Sequence, residues 1–438
     1  MKERVTMRTS LQRIAKKAQG QPTYRFRNLY GMLNETNLRE SWSDIHKNAA
    51  SGVDHVSACA YQQDLEENIH NLVERLKEKA YRAKLVRRRY IPKGNGKERP
   101  LGILATDDKL AQLAAAKLLG AMYEQVFLPC SYGYRPHRSA QEAAAVLSTE
   151  LQFGNYSYVV EADIKGYFDT IDHAWLIKML ELHIDDGAFL GLIKKWLNAG
   201  VLDTDGEILH PVTGTPQGGI VSPVLANVYL HYVLDLWFEK EVKPHCRGKA
   251  YLIRYADDFV CAFERKEDAQ CFYDVLGERL KKFGLTLSAD KTRVIAFDKR
   301  KDAGVTSFDF LGFEFRWGMD RKGRPNLKRR TARKKLRNSK RVFTEWCRKY
   351  RHDALPQLMA TLNAKLRGYY NYYGVIGNYQ SLDSFFRHVK RTLHKWLNRR
   401  SHRRSYTWSV YATLLKRYGV LLPRITQQRT TQLSLGFA

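Results

Sequence analysis

The sequence KAYLIRYADDFVCAF, residues 249–263, constrains the fold of this chain more than any other stretch. Residues 251–255 and 259–263 are rich in β-branched and aromatic side chains and flank a tight turn, so the pattern predicts an antiparallel β-hairpin. Asp257 and Asp258 lie side by side at its tip, where two carboxylates repel each other and lose solvation unless a cation neutralises them. Mg²⁺ suits this role because it prefers hard oxygen ligands. A solvated acidic turn is the alternative for an Asp-Asp pair taken alone.

A third carboxylate upstream favours the metal interpretation. Residues 157–164 have the composition of a strand, and Asp163 stands near its end. We expect Asp163 and Asp257 to meet on neighbouring strands and to hold two divalent cations about 3.5–4 Å apart, as in phosphoryl transfer between an attacking hydroxyl and a leaving pyrophosphate. Asp258 is the weaker ligand candidate, because adjacent strand residues tend to point to opposite faces.

The charge of the chain predicts a polyanionic partner. Its 438 residues suffice for two to four structural units, and Lys+Arg exceed Asp+Glu by 74 to 45, a net charge of +29. Such an excess repels itself, so nucleic acid is the natural partner and binding should weaken strongly with salt. A basic membrane-surface protein is the alternative, disfavoured because we find no long apolar run or lipidation motif. The charged N-terminus and six cysteines without CxxC pairing predict reduced thiols in a cytoplasm.

A basic hairpin is predicted over residues 81–103. The sequence alternates and then turns at Gly94-Asn-Gly96, and Lys93, Lys97 and Arg99 line the turn. Such a hairpin can clamp a triphosphate, because Lys and Arg stabilise negative charge on phosphate oxygens. A solvated basic turn is the alternative.

A glycine-rich segment, Gly214-Thr-Pro-Gln-Gly-Gly219, precedes a predicted helix. Its adjacent glycines let the backbone approach a ligand closely, and Gln217 offers both a donor and an acceptor to a nucleotide or template. Ser222-Pro223 begins the helix, with Ser222 as the expected N-cap.

Four segments of the chain together resemble a known family. They are residues 91–103, Asp163-Ile-Lys-Gly-Tyr-Phe168, residues 214–223 and Tyr255-Ala-Asp-Asp258, which look like reverse transcriptase blocks in their usual order. The resemblance, over roughly residues 22–400, is to bacterial group II intron-encoded reverse transcriptase/maturases. It implies an α+β fold: a right-hand polymerase, with fingers and a palm that carries an antiparallel sheet and the YADD hairpin, followed by an α-helical thumb/maturase domain.

The resemblance also implies roles for individual residues. Asp163, Asp257 and Asp258 match the catalytic carboxylates that hold two Mg²⁺. Phe168 matches an aromatic ring beneath the incoming sugar that excludes a 2′-hydroxyl, whereas taken alone it favours a core position. The remaining nucleotide-binding positions are Lys93, Arg99, Gln217 and Lys291. Lys291 matches a lysine near the triphosphate and is a candidate proton donor to pyrophosphate, with a plain surface lysine as the alternative.

Four regions are expected along the chain. They are an N-terminal extension and lid (1–80), the fingers and palm (81–317), a helical thumb/maturase domain (318–400) and a basic C-terminal segment (401–438). Residues 321–351 carry 15 Lys or Arg and a single acid, Glu345. A solvated helix face is the usual account of such a run, but interleaved aromatic residues favour a face that follows a phosphate backbone. The last segment has no long periodic pattern and is a candidate reduced DNA-binding region.

These observations lead to one main functional prediction. We expect an RNA-directed DNA polymerase of a bacterial group II intron that also binds its intron RNA as a maturase. Its expected partners are the intron RNA, an RNA template with a DNA or RNA primer, dNTPs and a DNA target, with no membrane. The alternatives are a domesticated reverse transcriptase, for example in phage defence, a splicing cofactor without synthesis, and a replicase that uses ribonucleotides, against which Phe168 argues.

Overall fold

The computed structural model describes residues 6–92, 98–215, 218–299, 306–400 and 406–427. The chain forms two compact units. The first comprises Met1–Ala143 and Tyr158–Val294, and the second comprises Ala144–Ser157 and Ile295–Ala438. The boundaries expected at residues 80, 317 and 400 do not coincide with this division and stay predictions about functional regions.

The first unit combines helices with two β-sheets. Its helices are α1 (Met7–Gly20), α2 (Glu35–Trp42), α3 (Ala58–Gln63), α4 (Leu65–Lys77), α5 (Thr106–Tyr123), the first turn of α6 (Ala140–Phe153), α7 (Tyr167–Thr170), α8 (His173–Glu181), α9 (Gly187–Leu197), α10 (Ser222–Leu230), α11 (Lys243–His245) and α12 (Lys266–Lys282). Its strands are β1 (Val86–Pro92), β2 (Glu98–Ile103), β3 (Tyr158–Asp163), β4 (Val201–Leu202), β5 (Ile208–Leu209), β6 (Ala250–Tyr255), β7 (Asp258–Phe263) and the start of β8 (Arg293–Ala296).

The central sheet of the first unit confirms the predicted hairpin. Strands β6 and β7 pair antiparallel, with Tyr255 opposite Asp258, so that a two-residue loop joins them. Strand β3 pairs antiparallel with the other edge of β7 and brings Asp163 opposite Asp258. This strand order, β6-β7-β3, continues into β8. The sheet is held by buried side chains such as Val160 and Phe259, which are almost fully removed from solvent.

The second sheet of this unit contains the predicted basic hairpin. Strands β1 and β2 pair antiparallel from Arg87 opposite Ile103 to Pro92 opposite Glu98. Strand β4 pairs parallel with β1 and antiparallel with β5, giving the order β2-β1-β4-β5. The tip of the hairpin, with Lys93, lies outside the described residues.

The second unit contains a three-stranded sheet and a helical bundle. Its elements, beyond the remainder of α6 and of β8, are β9 (Ser307–Phe310), β10 (Phe313–Met319), β11 (Pro325–Thr331), α13 (Arg333–Tyr350), α14 (Leu355–Tyr373), α15 (Tyr379–Leu397) and α16 (Trp408–Arg417). The strand order is β11-β10-β9. Stacked rings of Phe308 and Phe315 and a hydrogen bond from Trp317 Nε1 to the Phe297 carbonyl keep residues 295–317 in this unit.

One local expectation was wrong. Ser222 is the first residue of α10 and not its cap, because Val221 occupies the N-cap position. Gly218, with φ of 114°, approaches strand β2, because a Cβ there would collide with the carbonyl oxygen of Gly102. The expected approach of this backbone to a ligand stays a prediction. Within the C-terminal segment, which was expected to lack a long periodic pattern, the short helix α16 buries Tyr411 against the helical bundle. Among the described residues, no helix has the length and apolar character needed to cross a bilayer.

Candidate active site

The loop that joins β6 and β7 is held in an unusual conformation. Ala256 has φ of 56°, in the left-handed region that non-glycine residues seldom adopt. A Cβ on Gly133 would collide with the backbone of Ala256, so the segment around residue 133 lies directly against the loop. The loop is therefore fixed by its surroundings, and Asp257 and Asp258 are presented from a rigid support.

Arg254 ties this loop to the interior of the first unit. Its guanidinium bonds both carboxylate oxygens of Asp235 at 2.7 and 2.6 Å, and both side chains are 0 % exposed. Two further bonds reach Asn227 Oδ1 at 3.0 Å and Ser131 Oγ at 2.8 Å. The same guanidinium donates to the carbonyl oxygen of Ala256 at 3.0 Å. Arg254 therefore links the loop of the acidic pair to a fully buried ion pair.

Asp163 stands at the end of β3, beside this loop. Its backbone carbonyl accepts a hydrogen bond from the amide of Ser288 at 2.8 Å. Its carboxylate is bound by the Lys291 ammonium group, with 2.6 Å between Nζ and Oδ2, and its side chain is 21 % exposed. Because Asp163 and Asp258 are cross-strand partners, the three predicted carboxylates lie at one end of the sheet.

The charges at this end of the sheet are coupled. Burial raises the pKa of Asp257, and the negative charge of Asp163 raises it further, while Arg99 and Lys291 act in the opposite direction. The pKa of Lys291 is raised, first through its hydrogen bond to Asp163 and also through the charges of Asp258 and Asp257. The residues proposed from sequence for carboxylate and cationic roles therefore share one electrostatic environment.

The carboxylates do not form a closed ligand shell. Among the residues that the structure describes, no group of three or more His, Cys, Asp or Glu side chains is arranged to hold a metal ion. In this arrangement Lys291 binds the carboxylate of Asp163 directly. The donor set nevertheless fits a divalent cation chemically, since closely spaced carboxylates offer hard oxygen ligands and a nearby positive charge relieves their repulsion.

Phe168 lies in α7, behind the end of β3. Its ring is buried and makes edge contacts with Tyr167 and Tyr134, at centroid distances of 5.5 and 6.4 Å. Its carbonyl accepts a hydrogen bond from the amide of Thr215 at 2.7 Å, and a Cβ on Gly214 would collide with that carbonyl. The first part of the glycine-rich segment therefore packs against the turn that carries Phe168.

The structure places six of the eight predicted site residues. Asp163, Asp257, Asp258, Phe168, Arg99 and Lys291 all belong to the first unit, whereas Lys93 and Gln217 lie outside the described residues. Arg99 stands on β2, opposite Ile91. Their roles in catalysis and nucleotide binding stay predictions.

Sequence reasoning missed residues that support the site. Tyr134 is half exposed and adopts φ of 56°. Burial raises the pKa of its hydroxyl, and the charge of Asp257 adds to the effect. The sequence Ser131-Tyr-Gly-Tyr-Arg, with its closely spaced aromatic residues, was the available indication. Arg254 and Asp235 gave no such indication, because isolated charged residues are usually exposed.

Comparison with known proteins identifies two domains. The family described as "Reverse transcriptase (RNA-dependent DNA polymerase)" matches residues 91–315, about half of the chain. The family "Group II intron, maturase-specific domain" matches residues 336–415. These two domains imply nucleic-acid partners, and the reverse transcriptase family generally uses divalent metal ions.

Individual relatives agree with this identification. The group II intron-encoded protein LtrA of Lactococcus lactis is 33% identical over 309 residues, which cover 68% of this chain and 51% of that protein. Protein YkfC of Escherichia coli is 33% identical over 276 residues, covering 56% of this chain and 71% of that protein. An uncharacterized 91 kDa protein in the cob intron of Schizosaccharomyces pombe is 42% identical over 171 residues, which cover 39% of this chain and 21% of that protein. The chain spans about half the length of LtrA. With both domain families present in order, the chain belongs to the group II intron reverse transcriptase/maturase family.

Proposed function

We propose that this chain synthesises DNA on an RNA template from a primer 3′-hydroxyl and dNTPs. One observation carries the proposal: the register of the central sheet places Asp163 opposite Asp258, next to Asp257, with Lys291 bound to the same cluster. Family membership supports the same reaction.

We propose Asp163, Asp257 and Asp258 as ligands for two Mg²⁺ ions. The raised pKa of Asp257, caused by burial and by Asp163, is the observation in favour, because a cation would relieve this concentration of negative charge. When bound, the ions would favour deprotonation of the primer 3′-hydroxyl and neutralise charge on the departing pyrophosphate.

The remaining site residues would act on the nucleotide. The ammonium group of Lys291 binds Asp163. When a nucleotide is bound, this ammonium group would turn from Asp163 to a triphosphate oxygen and supply a proton or a positive charge there. Arg99, whose charge lowers the pKa of Asp257, would contact the triphosphate from β2 together with Lys93. Phe168 would close the floor beneath the sugar, and Gln217 would contact the nucleotide or template.

We also propose that the chain acts as a maturase for its own intron RNA in a bacterial cytoplasm and takes part in insertion at a DNA target. The maturase-specific domain at residues 336–415 supports RNA binding by the second unit. The +29 net charge supports it as well, because Lys and Arg gain affinity for phosphate backbones through counterion release.

Primer extension on an RNA template tests the proposal. Asp257→Asn removes one charge while keeping the side chain's size, and we expect extension to fall by about a thousandfold or more. Asp274→Asn, at an exposed position of α12 where the carboxylate accepts a bond from Gln270, is the control with the same change in net charge. Extension by Asp257→Asn at the wild-type rate would refute the catalytic assignment. RNA splicing support from a wild-type chain that makes no cDNA would favour a splicing cofactor instead.

A further inference from the structure

A basic cavity in the second unit is lined by none of the residues proposed above for the reaction. Its volume is about 730 Å³, and it is lined by β10, β11 and the start of α15. Its charged lining residues are Arg316, Lys328, Arg329, Arg330 and Arg333. No carboxylate is among the described side chains that line it. We refer to it as the Arg329 cavity.

Arg329 is buried without an acidic partner among the described residues. Arg329 is 8 % exposed, and burial lowers the pKa of its guanidinium to about 10. One amine, Nη2, donates to Gln427 Oε1 at 3.3 Å, whereas Nη1 is buried and has no hydrogen-bond partner among the described residues. Burial of a cation without a counter-charge opposes folding, and such groups are retained where an anion is bound.

The nearby carboxylate of Glu314 does not supply that counter-charge. Glu314 binds Arg330 at 2.6 Å and lies 3.8 Å from Arg333, so it accounts for those two cations. The Nε atoms of Arg330 and Arg316 nevertheless lack hydrogen-bond partners in the described part of the chain. Several donors therefore remain available around a cavity that holds an excess of positive charge.

The N-terminus of α15 adds a second kind of anion-binding group to the same cavity. The first residues of this 19-residue helix, Tyr379 and Gln380, line the cavity. No side chain caps the helix and no acidic residue lies in its first turn. Asn378, at the N-cap position, instead uses its side chain to bind Thr331, accepting from its amide at 2.8 Å. The partial positive charge of the helix end is therefore left for an external anion.

From these groups we infer that the Arg329 cavity binds a backbone phosphate of a nucleic-acid strand. A buried guanidinium with a free donor, further arginines and an uncapped helix N-terminus together match the tetrahedral oxygens and negative charge of a phosphodiester. The inference rests on the proposed action of this chain on nucleic acids. It adds a specific anchoring point that lies apart from the carboxylate cluster in sequence and in compact unit.

Two matched variants test the inference. Gln380→Glu places a carboxylate at the second residue of α15, where it competes with a bound phosphate. Gln357→Glu makes the same change in the first turn of α14, which also lacks an acidic residue but does not line the cavity. Both variants should raise Tm slightly, because acids stabilise helix N-termini. Only Gln380→Glu should weaken binding of a short single-stranded RNA, by about tenfold, and reduce the slope of log K against log salt by about one.

A third variant separates binding from folding. Arg329→Met removes the buried cation while keeping an unbranched side chain. If the cation serves a ligand, the free protein should have a Tm equal to or above that of the wild type, and RNA affinity should fall by about tenfold. A Tm several degrees lower would assign Arg329 a structural role and overturn the inference. Equal weakening by Gln380→Glu and Gln357→Glu would overturn it too, because that result reflects net charge alone.

The probes are the full chain with fluorescently labelled RNA, an RNA–DNA heteroduplex, a DNA duplex and inorganic phosphate. If Gln380→Glu, but not Gln357→Glu, weakens binding to any of the three nucleic acids, the inference is supported and the strand type is identified. If Gln380→Glu weakens binding of inorganic phosphate alone and leaves the affinity for every nucleic acid unchanged, the inference is refuted. Because binding is measured without synthesis, a chain that fails to extend primers can still show the selective loss. A chain that extends primers normally but shows no selective loss refutes the cavity and leaves the proposed polymerase activity intact.

Discussion

The buried pair of Arg254 and Asp235 should couple the stability of the first unit to the geometry of the loop that joins β6 and β7. Both side chains are 0 % exposed, and two hydrogen bonds of 2.6 and 2.7 Å join them. Removing one partner leaves a buried charge unpaired, which costs about 3–5 kcal/mol. We therefore expect Asp235→Leu and Arg254→Met each to destabilise the protein by about that amount in urea unfolding.

The double variant distinguishes pairing from positioning. Removing both charges leaves neither one uncompensated, so its loss of stability should be smaller than the sum of the single losses by about 2 kcal/mol or more. Its activity should not recover, because the hydrogen bond from Arg254 to the Ala256 carbonyl is still missing. We expect kcat for primer extension, measured at a temperature where the variants remain folded, to stay about tenfold or more below wild type.

Two results would refute this reasoning. Additive stability losses would mean that the two charges do not interact, contrary to their geometry. A double variant that regains both stability and wild-type kcat would mean that Arg254 does not position the loop, and that the single variants lost activity only through unfolding.

Two further predictions concern other parts of the first unit. Phe168→Ala should relax discrimination between dNTPs and rNTPs by about tenfold or more, since the ring no longer fills the space of a 2′-hydroxyl. The ratio of dNTP to rNTP incorporation rates measures this discrimination independently of the folded fraction. An unchanged ratio would exclude the proposed role. Burial raises the pKa of Asp108 to about 6, so the stability that its proton contributes is present below about pH 4 and lost as pH rises through 6. Asp108→Asn should therefore flatten the fall of Tm over this range, as followed by thermal unfolding, and a profile identical to wild type would contradict the assignment.

Local patterns were enough to predict the strands that carry the candidate site. The β-branched and aromatic composition of residues 251–255 and 259–263 indicated both strands of the hairpin, and the strand before Asp163 ended where its composition indicated. Strand composition and turn residues are local features, so they can be recognised in a single sequence. The same local reasoning located the basic hairpin.

Contacts between distant residues were not predictable in this way. Lys291 reaches Asp163 across 128 positions, and resemblance to a family, not pattern, had placed it near the nucleotide. Asp235, the partner of Arg254, ends a π-helical stretch over His231–Asp235 that the sequence does not indicate. The close approach of Gly218 to Gly102 was not indicated by the sequence, which suggested only that a ligand could come close to this backbone. In each case tertiary packing decides what the residue does.

Binding of Mn²⁺, a paramagnetic substitute for Mg²⁺, tests the central claim most directly. Electron paramagnetic resonance counts bound ions in the presence of primer, RNA template and a dNTP analogue that cannot react. We expect about two ions per chain for the wild type and for Asp274→Asn. Asp257→Asn and Asp163→Asn should each bind fewer ions or bind them at least tenfold more weakly. Equal occupancy and affinity in all four proteins would contradict a cation site built from these carboxylates.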